Sequence, residues 1–106
     1  MYHYQYHSLI FPIYDKINKH YENEQKRSET NYSKGLKHGV KTTWYVWGQK
    51  QTEIKWVYGE QHGKAAGWYE NGQPMSVTHW KNGKLDGESV NWYENGQKKE
   101  EVSLVK

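Results

Sequence analysis

The stretch that decides the fold is Trp68-Tyr69-Glu70-Asn71-Gly72-Gln73, followed by Met75-Ser76-Val77-Thr78-His79-Trp80, then Lys81-Asn82-Gly83-Lys84-Leu85-Asp86-Gly87, and Glu88 to Trp92. Asn-Gly between two runs of β-branched and aromatic residues is a strong short-range hairpin signal. Met75–Trp80 and Glu88–Trp92 read as strands, and the two Asn-Gly segments read as turns. A type I′ turn at Asn71-Gly72, with positive φ at both residues, would set Glu70 opposite Gln73 and Trp68 opposite Met75. Alternation then places Trp68 on one face, and Tyr69, Thr78 and Trp80 on the other.

Outward from this stretch the pattern recurs every 24 residues. Trp44, Trp68 and Trp92 are each followed by a tyrosine, and Gln49, Gln73 and Gln97 follow the turns. Gly35, Gly59 and Gly83 form one column and Gly39, Gly63 and Gly87 another. A fixed period of this length marks a repeat array, in which each unit contacts only its neighbours. The units run 21–44, 45–68 and 69–92, with a partial copy at 93–106. The copy at 21–44 is worn, and Glu24 stands where a glycine is expected. Residues 1–20 do not follow the repeat; Tyr2, Tyr4 and Tyr6 alternate and Pro12 interrupts. This segment reads as an irregular cap or degenerate unit whose return strand passes through Ile17, with a short helix over 13–24 as the alternative.

The expected fold is all-β: a single-layer antiparallel meander of hairpins with an irregular N-terminal capping segment. Composition agrees. Apolar residues make up 34% of the 106, too few for a thick aliphatic interior, while aromatics reach 16%. Ten Tyr and six Trp against one Phe suit half-buried positions where a ring packs and its polar end stays wet. Tyr32, Trp44, Trp56, Trp68, Trp80 and Trp92 recur at the half period and form the expected structural ladder of rings, in two rows near opposite rims.

The formal charge of +3 is small and the two signs are interspersed, which argues against a nucleic-acid or membrane-surface protein. No apolar run reaches the length needed to span a bilayer, and Leu9–Ile13 lacks the flanks of a signal peptide. Cysteine is absent, so a reducing cytoplasm is the simplest setting. No nucleophile-and-base pattern, phosphate loop or cofactor motif is present; the chain reads as non-enzymatic, without cofactor or metal. His38 and His62 share a column with Asp86, but neighbours in a column lie about 10 Å apart, too far to share one ion.

The phrase Trp-Tyr-Glu-Asn-Gly-Gln, with Lys-Asn-Gly-Lys-Leu-Asp-Gly half a period later, resembles the MORN-repeat variant family, and within it small bacterial proteins described as antitoxin-like. The match is good over 68–97, in register but poor in detail over 21–67, and absent over 1–20. The resemblance implies a β-hairpin array, no catalysis and binding to another macromolecule.

Departures from the repeat point to where a partner binds. Val46-Trp47 replaces the Glu-Asn of later copies, and Val57-Tyr58 replaces Lys81-Asn82. Turn tips ordinarily carry polar residues or Gly. Val46, Trp47, Val57 and Tyr58 are therefore the expected partner-binding residues, against the alternative of packing on the N-terminal segment. The expected function is a protein-binding, antitoxin-like or inhibitor module that occupies a toxin or defence effector. Alternatives are a phage-borne inhibitor of a defence nuclease and single-stranded nucleic-acid binding through the aromatic rows. Self-association through the open sheet edges is a further expectation.

Overall fold

A computed structural model describes residues 15–104. They form one ten-stranded antiparallel sheet without helices. Its strands are β1 (Lys16–His20), β2 (Lys26–Ser33), β3 (Leu36–Lys37), β4 (Gly39–Trp44), β5 (Lys50–Val57), β6 (Glu60–Trp68), β7 (Pro74–Lys81), β8 (Lys84–Leu85), β9 (Gly87–Trp92) and β10 (Lys98–Leu104). The path is β1-β2-β4-β5-β6-β7-β9-β10, with β3 hairpinned onto β2 and β8 onto β7. The slab measures 52 × 41 × 11 Å, the thickness of a single layer.

The expected single-layer meander is therefore what forms. β1 occupies the place expected of a return strand through Ile17. It replaces the helical alternative over 15–24, while the rest of the N-terminal segment lies outside the described residues.

Two kinds of turn alternate along the array. Lys34-Gly35, Tyr58-Gly59 and Asn82-Gly83 are two-residue turns with positive φ at both positions, the type I′ geometry. On the opposite rim, the Asn71-Gly72 turn departs from expectation. Gly72 has φ 88° but Asn71 is not in the positive-φ region. Gly72 N donates to Tyr69 O at 2.9 Å and Tyr69 N to Gln73 O at 2.8 Å, a type I turn followed by a glycine bulge. Asn71 Oδ1 accepts from Gln73 N at 2.9 Å, and this local bond holds Asn71 out of the left-handed region. The extra residue shifts the register, so Trp68 pairs with Pro74 and Gly67 with Ser76, rather than Trp68 with Met75.

Cross-strand registers define two faces. The first carries the rows Thr52–Gly67–Ser76 and Ile54–Ala65–Thr78; the second carries Glu53–Ala66–Val77. Ala65, Ala66 and Val90 are the buried apolar residues, with Thr30 and Thr42 the buried polar ones. Burial is thus thin: among the described residues no large side chain is fully buried. Trp44, Trp68 and Trp92 end β4, β6 and β9 on one rim, and Tyr32, Trp56 and Trp80 lie toward the other on β2, β5 and β7.

Candidate functional site

The repeats are tied together through the tyrosine after each Trp. The Oη of Tyr21, Tyr45 and Tyr69 donates to the carbonyls of Trp44, Trp68 and Trp92, each at 2.7 Å. Asn23 Nδ2 likewise reaches Val46 O at 3.2 Å, and Asn71 Nδ2 reaches Glu94 O at 3.1 Å. The Nζ of Lys26 and Lys50 stand over the Trp44 and Trp68 rings at 5.7 and 5.6 Å. Tyr93 is the next donor in the row and is half exposed, at 50%.

On the other rim, the Tyr58-Gly59 and Asn82-Gly83 turns are each held by the preceding unit. Gly59 N donates to Lys37 O, and Tyr58 N to His38 Nδ1 at 3.1 Å. Gly83 N donates to Gln61 O, and Asn82 N to His62 Nδ1 at 3.4 Å. The histidine column thus serves as an acceptor for the turn of the next unit. Among the described residues, no group of three His, Cys, Asp or Glu could hold a metal ion.

Against this frame the two apolar tips stand out. Trp47 occupies the position of Asn23, Asn71 and Asn95, each of which accepts from the backbone N–H two residues on. An indole offers no acceptor, so the copy at Trp47 forgoes both this bond and the Nδ2 bridge to the next unit. Trp47 is 57% exposed and stacks on Tyr45, with ring centroids 5.5 Å apart and planes within 9°. Val46 beside it is also exposed.

Tyr58 is the first central residue of its type I′ turn, at φ 41°. The left-handed region costs a bulky side chain about 1–3 kcal/mol and is tolerated far better by Asn, which fills the place at Asn82. Tyr58 is exposed and its ring lies 4.2 Å from that of His38. Val57 is only partly exposed. The structure does not gather the four residues into one patch. Val46 and Trp47 lie before β5 on one rim, Val57 and Tyr58 close it on the other, about 25 Å away along the strand.

Between the rims, the first face holds a shallow recess of about 470 Å³ lined by Tyr45, Ile54, Ala65, Met75, Thr78 and Trp80. Small residues open it: β6 presents Ala65 and Gly67 at positions where β4 has Lys41 and Thr43. Tyr45, which carries the Trp47 stack, is part of its wall. At the other rim Trp56 Nε1 is buried without a hydrogen-bond partner, whereas Trp80 Nε1 donates to Thr78 Oγ1 at 2.8 Å. Ile54 stands where Thr78 does and has no oxygen to offer.

Charge segregates between the faces in a way that spacing alone does not reveal. On the second face Glu29 pairs with Lys16 and Lys26, Glu53 with Lys50, and Glu101 with Lys98. The bond from Lys26, with the positive charge of Lys16 and Lys26, holds the Glu29 carboxyl below the usual range. On the first face Lys19, Arg27 and Lys41 line a recess of about 490 Å³. Lys37 stands nearby, its Nζ 4.6 Å over the Trp56 ring. Among the described residues none of these four cations forms an ion pair. Burial, followed by the charges of Lys37 and Lys19, pushes the Lys41 ammonium down from its ordinary value.

No curated protein and no solved structure matches the chain. Residues 61–82 and 85–106, somewhat less than half of the chain, match the family described as MORN repeat variant, and the hairpin array is similar to that family over these two stretches.

Proposed function

We propose that this chain is a non-catalytic protein-binding module, an antitoxin-like or inhibitor protein that acts in the bacterial cytoplasm by occupying a toxin or defence effector. One observation carries the reading: Tyr58 is held exposed at a backbone position that disfavours it, φ 41°, where the equivalent turn uses Asn82. Strain of this kind persists where a side chain is needed for something other than folding. Trp47 supports it, since it displaces an Asn that would bond twice. The two anchors bracket the first face, and an elongated partner surface lying along β5 would reach both. MORN repeats serve commonly as interaction modules, which fits this reading.

The test restores the repeat residue at each tip. Trp47→Asn and Tyr58→Asn are expected to leave thermal stability equal or higher. Each is also expected to weaken a stoichiometric protein complex, captured at moderate salt, by tenfold or more, as for interface hot spots. A complex indifferent to both substitutions would remove these residues from the binding surface. Recovery of salt-labile RNA in place of a protein would remove the reading itself.

A further inference from the structure

Three cations of the first face stand in columns that are neutral in the following two units. Arg27 shares its column with Gln51 and Met75, a charge returning only at Lys99 in the partial copy. Lys41 shares its column with Ala65 and Ser89, and Lys19 with Thr43, Gly67 and Asn91. The repeat therefore folds without charge at these places. The registers bring the three together. Lys19 lies opposite Ser28, and Ser28 opposite Thr43, in the row of the first face that continues through Thr52. Lys41 lies opposite Ile54 in the next row of that face. Arg27 is the extra residue where the β1–β2 register shifts, as Gln51 is between β4 and β5, and both line the recess of about 490 Å³. Strands about 4.8 Å apart spread the three charges over about 10 Å.

All twelve Asp and Glu of the sequence lie within the described residues. Glu29 and Glu53, on the neighbouring strands, belong to the second face and are held by Lys16, Lys26 and Lys50. Asp15, Glu22 and Glu24 form no ion pair among the described residues. No carboxylate side chain of this sequence thus pairs with Lys19, Arg27 or Lys41. The gathering opposes itself: burial, then the charges of Lys37 and Lys19, lower the Lys41 pKa.

We propose that this recess binds an acidic segment of the partner protein, whose carboxylates pair with Lys19, Arg27 and Lys41. The inference rests on the reading that a protein occupies the first face, and it names the charge that protein brings there. Three observations select this occupant over a phosphoryl group. The cations are spread over three strands and do not converge on one point, which suits separate carboxylates. The floor is β2 and β4, each with a paired strand on both sides, and not a loop of free N–H groups such as cradles phosphate. Gln51 also lines the apolar recess beside Ile54, Ala65 and Met75, so a segment crossing the first face meets apolar and cationic surface in turn, as a protein can match.

Fluorescence anisotropy of a labelled octaglutamate peptide, titrated with the 106-residue protein at low salt, tests the site, with circular dichroism to verify that each variant folds. The repeat supplies the substitutions: Lys19→Thr, Arg27→Gln and Lys41→Ser copy Thr43, Gln51 and Ser89. The wild type is expected to bind, each single variant about two- to threefold more weakly, and the triple variant about tenfold more weakly. Lys64→Gln, Lys81→Gln and Lys84→Gln together remove the same charge from β6, β7 and β8, and are expected to leave binding unchanged. Trp47→Asn and Tyr58→Asn are also expected to bind the peptide as the wild type does, so failure of the partner reading and failure of this site are read separately. Wild-type protein that does not bind, a triple variant that binds equally, or an equal loss in the β6–β8 control would each overturn the proposal. So would pyrophosphate that displaces the label at lower concentration than unlabelled octaglutamate, which would assign the recess to phosphoryl chemistry.

Discussion

Glu24 shows what a single side chain costs in this array. It stands in the column of Gly48, Gly72 and Gly96 and adopts their backbone conformation, at φ 72° against 105°, 88° and 90°. A residue with a Cβ pays about 1–2 kcal/mol there, offset in part by the lower chain entropy of a non-glycine residue. Glu24→Gly is therefore expected to stabilise the protein by about 1 kcal/mol, read as a higher Tm or denaturation midpoint. The missing glycine was legible in the sequence as a break in a column. That Tyr58 shares a left-handed position was legible only in part. Its column pointed to a turn tip, but the φ of each tip residue depends on turn type, and the two rims use different turns. Asn71 shows the same limit: Asn-Gly suits two geometries, and the local bond to Gln73 N selects between them.

At the scale of the element, the tyrosine after each Trp joins one hairpin to the next. Its hydroxyl reaches a carbonyl one unit on, a contact whose 23-residue separation was present in the sequence as Tyr21, Tyr45 and Tyr69 but had no visible partner there. A period reveals which residues are equivalent; it does not reveal which atoms meet across the pleat. Tyr69→Phe removes a part-buried bond and is expected to cost about 1 kcal/mol in denaturant unfolding. Tyr93→Phe, at the exposed end of the row, is expected to leave the stability of the monomer unchanged. No loss at Tyr69 would show that the ladder contributes through ring packing and not through its hydroxyls.

Over the whole molecule, charge is distributed by face and by end. Lys19 and Lys37, from β1 and β3, raise the cost of a proton on Lys41 of β4, which burial already disfavours. The folded-state pKa of Lys41 thus lies below its ordinary value of about 10.5. The penalty is present wherever Lys41 is charged, and it disappears as pH rises through the folded pKa toward the unfolded one. Lys41→Ser, which copies Ser89 of β9, is expected to raise Tm at neutral pH and low salt. The gain should shrink at high salt and vanish above about pH 10.5. Thermal melts across pH and ionic strength check both trends; a gain constant with pH would assign the effect to side-chain packing. The sequence by itself determined the period, the strand-and-turn alternation, the all-β single layer and the two worn tips, because each is written in which residue types recur at which spacing. Folding in three dimensions set the turn type on each rim, the bulge that shifts Trp68 from Met75 to Pro74, the rim-to-rim separation of Trp47 and Tyr58, and the gathering of Lys19, Arg27, Lys37 and Lys41 on the first face. These depend on register. One extra residue in a turn moves every following side chain relative to its cross-strand neighbour, and only the hydrogen-bonded sheet fixes where that residue goes.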